Sequence, residues 1–219
     1  MLVPVPRCEL CFLPIPKGFE KTTGQCYTCY AGSPIDGRVV ERVIAATLYI
    51  PRVTGYRHTD EIRGLKDEGS FAEQYAEVLR YVIREEGLRL ARSGVLVPIP
   101  RTTPRASLSG PEALANALSL KCRLFVRNAL SFVRQVRSQK RLSGIERAKN
   151  IENSMVCESS VRRRVVYLAD DILTTGRTMR EGARAAMAAG AESVVGLVAG
   201  RDADMKSLLF AGVMKVVED

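Results

Sequence analysis

The sequence contains one histidine, no tryptophan and few aromatic residues, which make up 6% of its 219 positions. The single histidine, His58, excludes any mechanism that needs a histidine cluster, including metal catalysis by several imidazoles. The scarcity of aromatic side chains gives little support to base stacking on single-stranded nucleic acid. No apolar run approaches the roughly 18 residues that a membrane span needs, so we expect no membrane partner.

A charged and then apolar leader is also missing from the start of the sequence. Its absence argues against a secretory signal and predicts a cytoplasmic protein. With 46% hydrophobic and 26% charged residues, the chain can build one α/β domain with a substantial core and a small additional segment. Apolar residues recur throughout, which excludes disorder as a description of the whole chain.

Positive charge is concentrated in one region of the sequence. Between Lys121 and Arg164 there are twelve basic and three acidic residues, which accounts for the entire net charge of +9. The rest of the chain is balanced, with 21 residues of each sign. This region predicts a polyanionic partner, either nucleic acid or a phosphate-rich small molecule. A solvated basic surface is the alternative.

Four of the six cysteines form two Cys-x2-Cys pairs separated by fourteen residues. Two such turns complete a tetrahedral shell of thiolates, so the spacing predicts a structural zinc site. The surrounding Pro- and Gly-rich segment can bury little by itself, and a metal would stabilise it. Two disulfides or a thioredoxin-type redox pair are the alternatives. We predict a zinc knuckle over 1–36 and a second domain over 37–219, with these zinc ligands: Cys8, Cys11, Cys26 and Cys29.

Short apolar runs alternate with segments of helical periodicity from residue 45 onward. Strands are predicted over 45–50, 95–100, 130–136, 165–168 and 194–199. Helices are predicted over about 70–91, after the loop 101–110, and over 179–189. This order predicts an α/β fold with a mainly parallel sheet flanked by helices. Cys122 and Cys157, outside the paired cysteines, are predicted to be small buried hydrophobes.

The stretch 165–178, VVYLADDILTTGRT, carries the most chemical information. An apolar strand leads into Asp170 and Asp171, which we expect beyond the end of the strand, where open α/β sheets bind ligands. The following turn, 174–178, offers hydroxyls and backbone amides at a helix N terminus, which suits a phosphate. Two carboxylates would repel phosphate, so we expect them to face sugar hydroxyls and a magnesium ion. A strand followed by an ordinary capped helix is the alternative.

This stretch resembles the phosphoribosyl-pyrophosphate (PRPP) signature of type I phosphoribosyltransferases: four apolar residues, two acids, two further apolar residues and TTGxT. The resemblance implies that Asp170 and Asp171 hold the ribose 2′- and 3′-hydroxyls. It also implies that the 5′-phosphate is wrapped by Thr174, Thr175, Gly176, Arg177 and Thr178.

The four-cysteine start and three further segments are similar to the ComF-type (competence-protein-F-like) branch of that family. These segments are Ile62–Lys66, Val97–Pro100 and the pattern Gln139, Leu142, Arg147 and Asn150. The branch usually has Arg-Gly-Phe-Asn-Gln at the helix that follows the pyrophosphate loop, whereas this chain has Ser-Gly-Pro-Glu-Ala at 109–113. Arg101 and Arg105 could supply pyrophosphate contacts in place of the missing residues.

The resemblance implies a type I phosphoribosyltransferase-like sheet preceded by a zinc-ribbon-like segment. The implied activity is magnesium-dependent transfer of phosphoribose from PRPP to a nitrogen acceptor such as a nucleobase. The basic stretch 137–150 would close over PRPP as a lid. The residues expected to act in the reaction are Asp170, Asp171, Arg147 and Lys66.

Two other functions stay open on the sequence alone. One is a PRPP or nucleotide sensor that has lost turnover. The other is an accessory protein of DNA uptake that binds nucleic acid through its basic face, which the low aromatic content disfavours. Type I relatives are often dimers, so a homodimer is an expected assembly.

Overall fold

The computed structural model describes residues 39–49, 57–102, 108–135, 151–174 and 176–202. Within these ranges there are four α-helices: α1 (Arg57–Glu68), α2 (Ala72–Glu85), α3 (Gly110–Cys122) and α4 (Arg177–Ala188). The strands are β1 (Arg42–Tyr49), β2 (Val95–Pro98), β3 (Phe125–Val126), β4 (Leu130–Phe132), β5 (Met155–Cys157), β6 (Val165–Leu173) and β7 (Ser193–Asp202).

Five strands form one sheet in the order β1-β7-β6-β2-β3, and all four pairings in it are parallel. Strands β4 and β5 form a separate antiparallel pair. The predicted α/β fold with a mainly parallel sheet flanked by helices is therefore confirmed. The zinc-knuckle segment 1–36 lies outside the described residues.

The core has two halves, one on each face of the parallel sheet. Alternate residues of a strand point to opposite faces, so Leu168 packs on the α4 side while Tyr167 packs on the side of α2 and α3. The central strands read as continuous apolar runs because both of their faces are covered. From Val194 to Gly200, every residue of β7 is buried.

The end of one predicted helix differs from the structure. Helix α2 stops at Glu85, whereas the periodicity predicted a helix to about residue 91. Gly87 has a φ of 66°, and the Leu88 amide donates to the Ile83 carbonyl at 3.0 Å. These features form a Schellman-type helix end, which requires a left-handed residue that glycine adopts at low cost.

Helix α1 and the short strands β3 and β5 were not predicted. Helix α1 presents only Ile62 and Leu65 as fully buried apolar residues, so its hydrophobic period is too sparse to recognise. Strand β4 is also shorter than the predicted 130–136, because it pairs only with the three residues of β5.

Two charged side chains of helix α4 form hydrogen bonds with the backbone of β5. Glu181 accepts a hydrogen bond from the Met155 amide at 2.9 Å, and Arg184 donates to the Met155 carbonyl at 2.9 Å. Burial opposes ionisation of Glu181, but hydrogen bonds from Arg184 and Met155 leave its pKa below the ordinary value.

The predicted basic lid over 137–150 lies outside the described residues.

The two cysteines outside the Cys-x2-Cys pairs were predicted to be buried, and the structure shows both as half-buried. Cys122 packs against the core half that contains α2 and α3, and Cys157 packs against the other half. Burial raises the pKa of Cys122 and raises that of Cys157 to about 11. Both thiols therefore stay protonated at neutral pH, as expected of structural cysteines.

Candidate active site at the carboxyl edge of the sheet

The two adjacent acids lie within β6, so the prediction that they follow the end of their strand is wrong. Asp170 still pairs in register with Val198 of β7, because β7 continues to Asp202 and keeps β6 extended. Strand β2 stops earlier, with Pro98 opposite Ala169. The acids therefore project beyond the carboxyl end of β2 while β7 supports them from the other side.

Asp170 and Asp171 are half-buried residues, and their carboxylates are oriented by the backbone that follows them. Asp170 Oδ1 accepts from the Asp171 amide at 2.9 Å, and Asp171 Oδ1 accepts from the Ile172 amide at 2.6 Å. Among the described residues, no basic or hydroxyl side chain donates a hydrogen bond to either carboxylate. The pair can therefore accept hydrogen bonds from a ligand.

The pKa of Asp170 lies well above its ordinary value. Burial is the largest cause, and the negative charge of Asp171 raises the pKa further. The Asp171 amide and the positive charge of Lys66 oppose these effects. A pair of this kind resists carrying two full negative charges, and hydroxyl donors or a bound cation would stabilise the ionised form.

Gly110 brings three elements together beside these acids. A Cβ built on Gly110 would lie 2.8 Å from the Leu65 carbonyl oxygen, 3.1 Å from the Lys66 Cα and 3.2 Å from the Asp171 Cβ. The N terminus of α3, the end of α1 and the acids of β6 can meet this closely only because no side chain stands between them. The structure thus brings the predicted site residue Lys66 close to the two acids.

Arg101 lies beside this junction but is engaged with the backbone. Its Nη2 donates to the Lys66 carbonyl at 3.1 Å and to the Leu108 carbonyl at 3.2 Å. These bonds tie the end of α1 to the segment that leads into α3. Arg101 therefore stabilises the frame of the site, and a pyrophosphate contact would compete with these hydrogen bonds.

The N terminus of α3 is closed by its own side chains. Ser109 Oγ accepts from the Glu112 amide at 3.1 Å, and Glu112 Oε2 accepts from the Ser109 amide at 2.7 Å. This reciprocal capping box satisfies two of the amides that a helix N terminus otherwise offers to anions. The hydrogen bonds from Ser109 also lower the pKa of Glu112, so a carboxylate charge stays at this end of the helix.

The N terminus of α4 is built differently. Gly176 is the N-cap with a φ of 71°, a conformation that glycine adopts without the strain of an L side chain. Glycine carries no capping side chain, and the helix dipole places partial positive charge at this end. Arg177 and Thr178 follow in the first turn and are half-buried, while Thr174 is exposed. Thr175 lies outside the described residues.

Arg201, at the end of β7, was not predicted as a site residue. Its side chain is only 5% exposed, and Nη1 donates to the carbonyls of Leu173 and Thr174. The signal in the sequence was a single arginine directly after an apolar strand, in VVGLVAGR. A charged residue that ends a fully buried strand needs a specific partner.

Several predicted site residues lie outside the described part of the chain: Arg147, Arg105, Thr175 and the four paired cysteines.

The positive charges of the basic region 121–164 do not all lie on the side of the sheet that carries the acids. Arg123 lies two residues before β3, and Arg162–Arg164 directly precede β6, so these four arginines lie at the amino edge of the sheet, opposite the acids. The lid predicted over 137–150 therefore does not account for the charge of these four arginines.

Among the described residues, no group of three or more His, Cys, Asp or Glu side chains could hold a metal ion. The acid pair supplies hard oxygen ligands that suit magnesium, but two carboxylates do not complete its coordination shell. Magnesium would therefore fit here with most of its ligands supplied by phosphate groups and water.

No family model matches this chain, and no curated protein matches it significantly. A crystal structure of TT1426 from Thermus thermophilus is similar over 61% of this chain and 82% of that chain, with 16% identity and a TM-score of 0.36. A similarity this weak carries no argument about function. Among the described residues, no helix has the length and apolar composition that crossing a membrane requires.

Proposed function

We propose that this protein is a phosphoribosyltransferase that binds PRPP with magnesium and transfers its phosphoribosyl group to a nitrogen acceptor, in the first instance a nucleobase. The observation that carries the proposal is the juxtaposition of two half-buried acidic residues on β6 with a helix whose N-cap is Gly176. The first feature suits a sugar diol and the second suits a phosphate, and three residues of β6 separate Asp170 from Thr174.

In this proposal each part of the site has a distinct task. Asp170 and Asp171 accept hydrogen bonds from the ribose hydroxyls and fix the ring. The N terminus of α4 binds the 5′-phosphate through its backbone amides. Magnesium, when bound, would neutralise charge on the diphosphate and be shared with the acid pair.

The transfer breaks the bond from C1′ to the pyrophosphate oxygen, and the electron pair leaves with pyrophosphate. A new bond forms between C1′ and the acceptor nitrogen, which then loses its proton to water or base. Negative charge accumulates on the leaving group in the transition state, where fixed cations stabilise it most effectively. Lys66 supplies a positive charge beside the acids. Arg147, which the sequence predicts as a site residue, would supply a second one.

The direct test is release of pyrophosphate from PRPP in the presence of magnesium and a panel of nucleobases. We expect release with at least one acceptor and none with the Asp170→Asn/Asp171→Asn variant. Omission of the acceptor measures background hydrolysis. If no base in the panel yields pyrophosphate above this background, transfer to nucleobases is wrong.

A PRPP or nucleotide sensor is the second candidate, and the capping box of α3 favours it. Ser109 and Glu112 occupy the amides at this helix end, and the Glu112 carboxylate would repel a pyrophosphate that approached it. A sensor would bind PRPP but would release no pyrophosphate with any acceptor. Binding and release measured on the same preparation therefore separate the two functions.

We also propose that the paired cysteines hold one structural zinc ion. Metal analysis of the purified protein should find about one zinc per chain, because two Cys-x2-Cys turns supply four thiolates. The Cys8→Ser/Cys11→Ser variant should lose this zinc, whereas Cys122→Ser should retain it. A folded protein that contains no zinc would contradict the proposal.

A further inference from the structure

The end of β7 places a buried positive charge directly behind the turn that leads into α4. Arg201 pairs in register with Leu173, the last residue of β6. Within the described residues it is the most deeply buried arginine, with 5% of its surface exposed. Its Nη1 donates to two successive backbone carbonyls, those of Leu173 and Thr174.

These two hydrogen bonds fix the direction in which the turn presents its amides. In a planar trans peptide unit, the carbonyl and the N–H point in opposite directions. Because the Leu173 carbonyl points toward the buried guanidinium, the Thr174 N–H of the same peptide unit is directed away from Arg201. The side of the turn remote from Arg201 is therefore the side that offers hydrogen-bond donors to an anion.

No carboxylate in the described part of the chain balances the positive charge of Arg201. Within the described residues no carboxylate forms an ion pair with Arg201, and its buried Nε has no hydrogen-bond partner. A desolvated cation that is neutralised only by carbonyl dipoles is costly. An anion bound by the outward amide would lie across the turn from this charge and would partly compensate it.

We propose that Arg201 is a positioning residue for the phosphate-binding turn, which it holds with carbonyls inward and amides outward while acting as the buried counter-charge of a phosphate monoester. This inference rests on the proposed function and extends it to a residue outside the PRPP-like stretch. It also assigns a ligand preference to this half of the site. The binding affinity for a sugar 5-phosphate should depend on Arg201. The affinity for pyrophosphate, which would be held near Lys66, should not.

The test is isothermal titration of the full chain with ribose 5-phosphate and, separately, with magnesium pyrophosphate. We expect Arg201→Met to weaken ribose 5-phosphate binding by about ten- to a hundredfold, the range for losing hydrogen bonds that involve a charged group. The affinity for pyrophosphate should change less than about twofold, because substitutions at a site that does not interact with the ligand change its binding free energy by only a few tenths of a kcal/mol. Arg201→Lys, which keeps the charge but loses the fork of donors, should give intermediate affinity. Arg162→Met removes an exposed arginine from the opposite edge and should change neither affinity.

Each other outcome has a defined meaning. If the wild-type chain binds neither ribose 5-phosphate nor PRPP, the proposed function fails. If it binds them and Arg201→Met binds them equally well, the function stands and the role of Arg201 is wrong. Equal losses for both ligands would indicate a general structural role and would also overturn the inference. Should Arg201→Met fail to fold, the ligand-selective loss and partial retention expected of Arg201→Lys test the same point.

Discussion

Replacing both acids of β6, as Asp170→Asn/Asp171→Asn, should weaken binding of PRPP with magnesium at least a hundredfold. The amides keep the size and shape of the acids but cannot accept hydrogen bonds as charged groups. A hydrogen bond to a charged group contributes about 1.5–3 kcal/mol, so the loss of two corresponds to roughly two to four powers of ten in affinity. Isothermal titration at neutral pH with excess magnesium measures the effect.

The stability of the single variant Asp170→Asn provides the control for this experiment. Because burial and Asp171 raise the pKa of Asp170 above its ordinary 3.8, the folded protein retains a proton that the unfolded chain has released. The contribution of Asp170 to wild-type stability should therefore fall as pH rises above about 4, and the amide should avoid this loss. We expect a higher melting temperature for the variant at neutral pH, with the difference shrinking as the pH falls toward 4.

Together these two measurements distinguish a binding role from a structural one. PRPP affinity is therefore measured on Asp170→Asn as well, because a loss of affinity in a protein that melts at a higher temperature cannot result from unfolding. Unchanged affinity in the double variant would remove the assignment of the acids to the ribose. A lower melting temperature for Asp170→Asn would show that its carboxylate stabilises the fold, contrary to the raised pKa of this residue.

Substituting Gly110 should disrupt the junction of α1, α3 and β6. Helix propensity alone predicts that Gly110→Ala stabilises the chain, since alanine is the better helix former. The structure predicts the opposite sign, because the new Cβ would lie 2.8 Å from the Leu65 carbonyl oxygen and 3.1 Å from the Lys66 Cα. These are backbone atoms that cannot rotate away, so we expect a loss of about 1–3 kcal/mol in the free energy of unfolding.

Urea unfolding measures this loss, and Asn116→Ala on the exposed face of the same helix is the matched control, expected to be neutral or mildly stabilising. Affinity for PRPP should also fall in Gly110→Ala, because the added methyl separates Lys66 from Asp171. A Gly110→Ala protein as stable as the wild type would mean that the two helices approach less closely than the structure shows.

The candidate site could be predicted only where its residues are neighbours in the sequence. The apolar run, the acids and the glycine all lie within residues 165–178, so the sequence motif by itself indicates their chemistry. Arg201 is 28 positions beyond Leu173, and only the parallel pairing of β6 with β7 brings the two together. The closeness of Lys66 to Asp171 likewise depends on contacts at Gly110 that no periodicity indicates.

Local spacing by itself determined the alternation of strands and helices, because buried strands and amphipathic helices impose different periods on apolar residues. It also determined the position of the paired acids and of the glycine that opens α4. Only the tertiary structure decided that the acids remain inside a strand, that one helix end is self-capped while the other is open, and that a buried arginine lies behind the turn. These features depend on hydrogen bonds and close approaches between distant segments, which the linear order of residues does not encode.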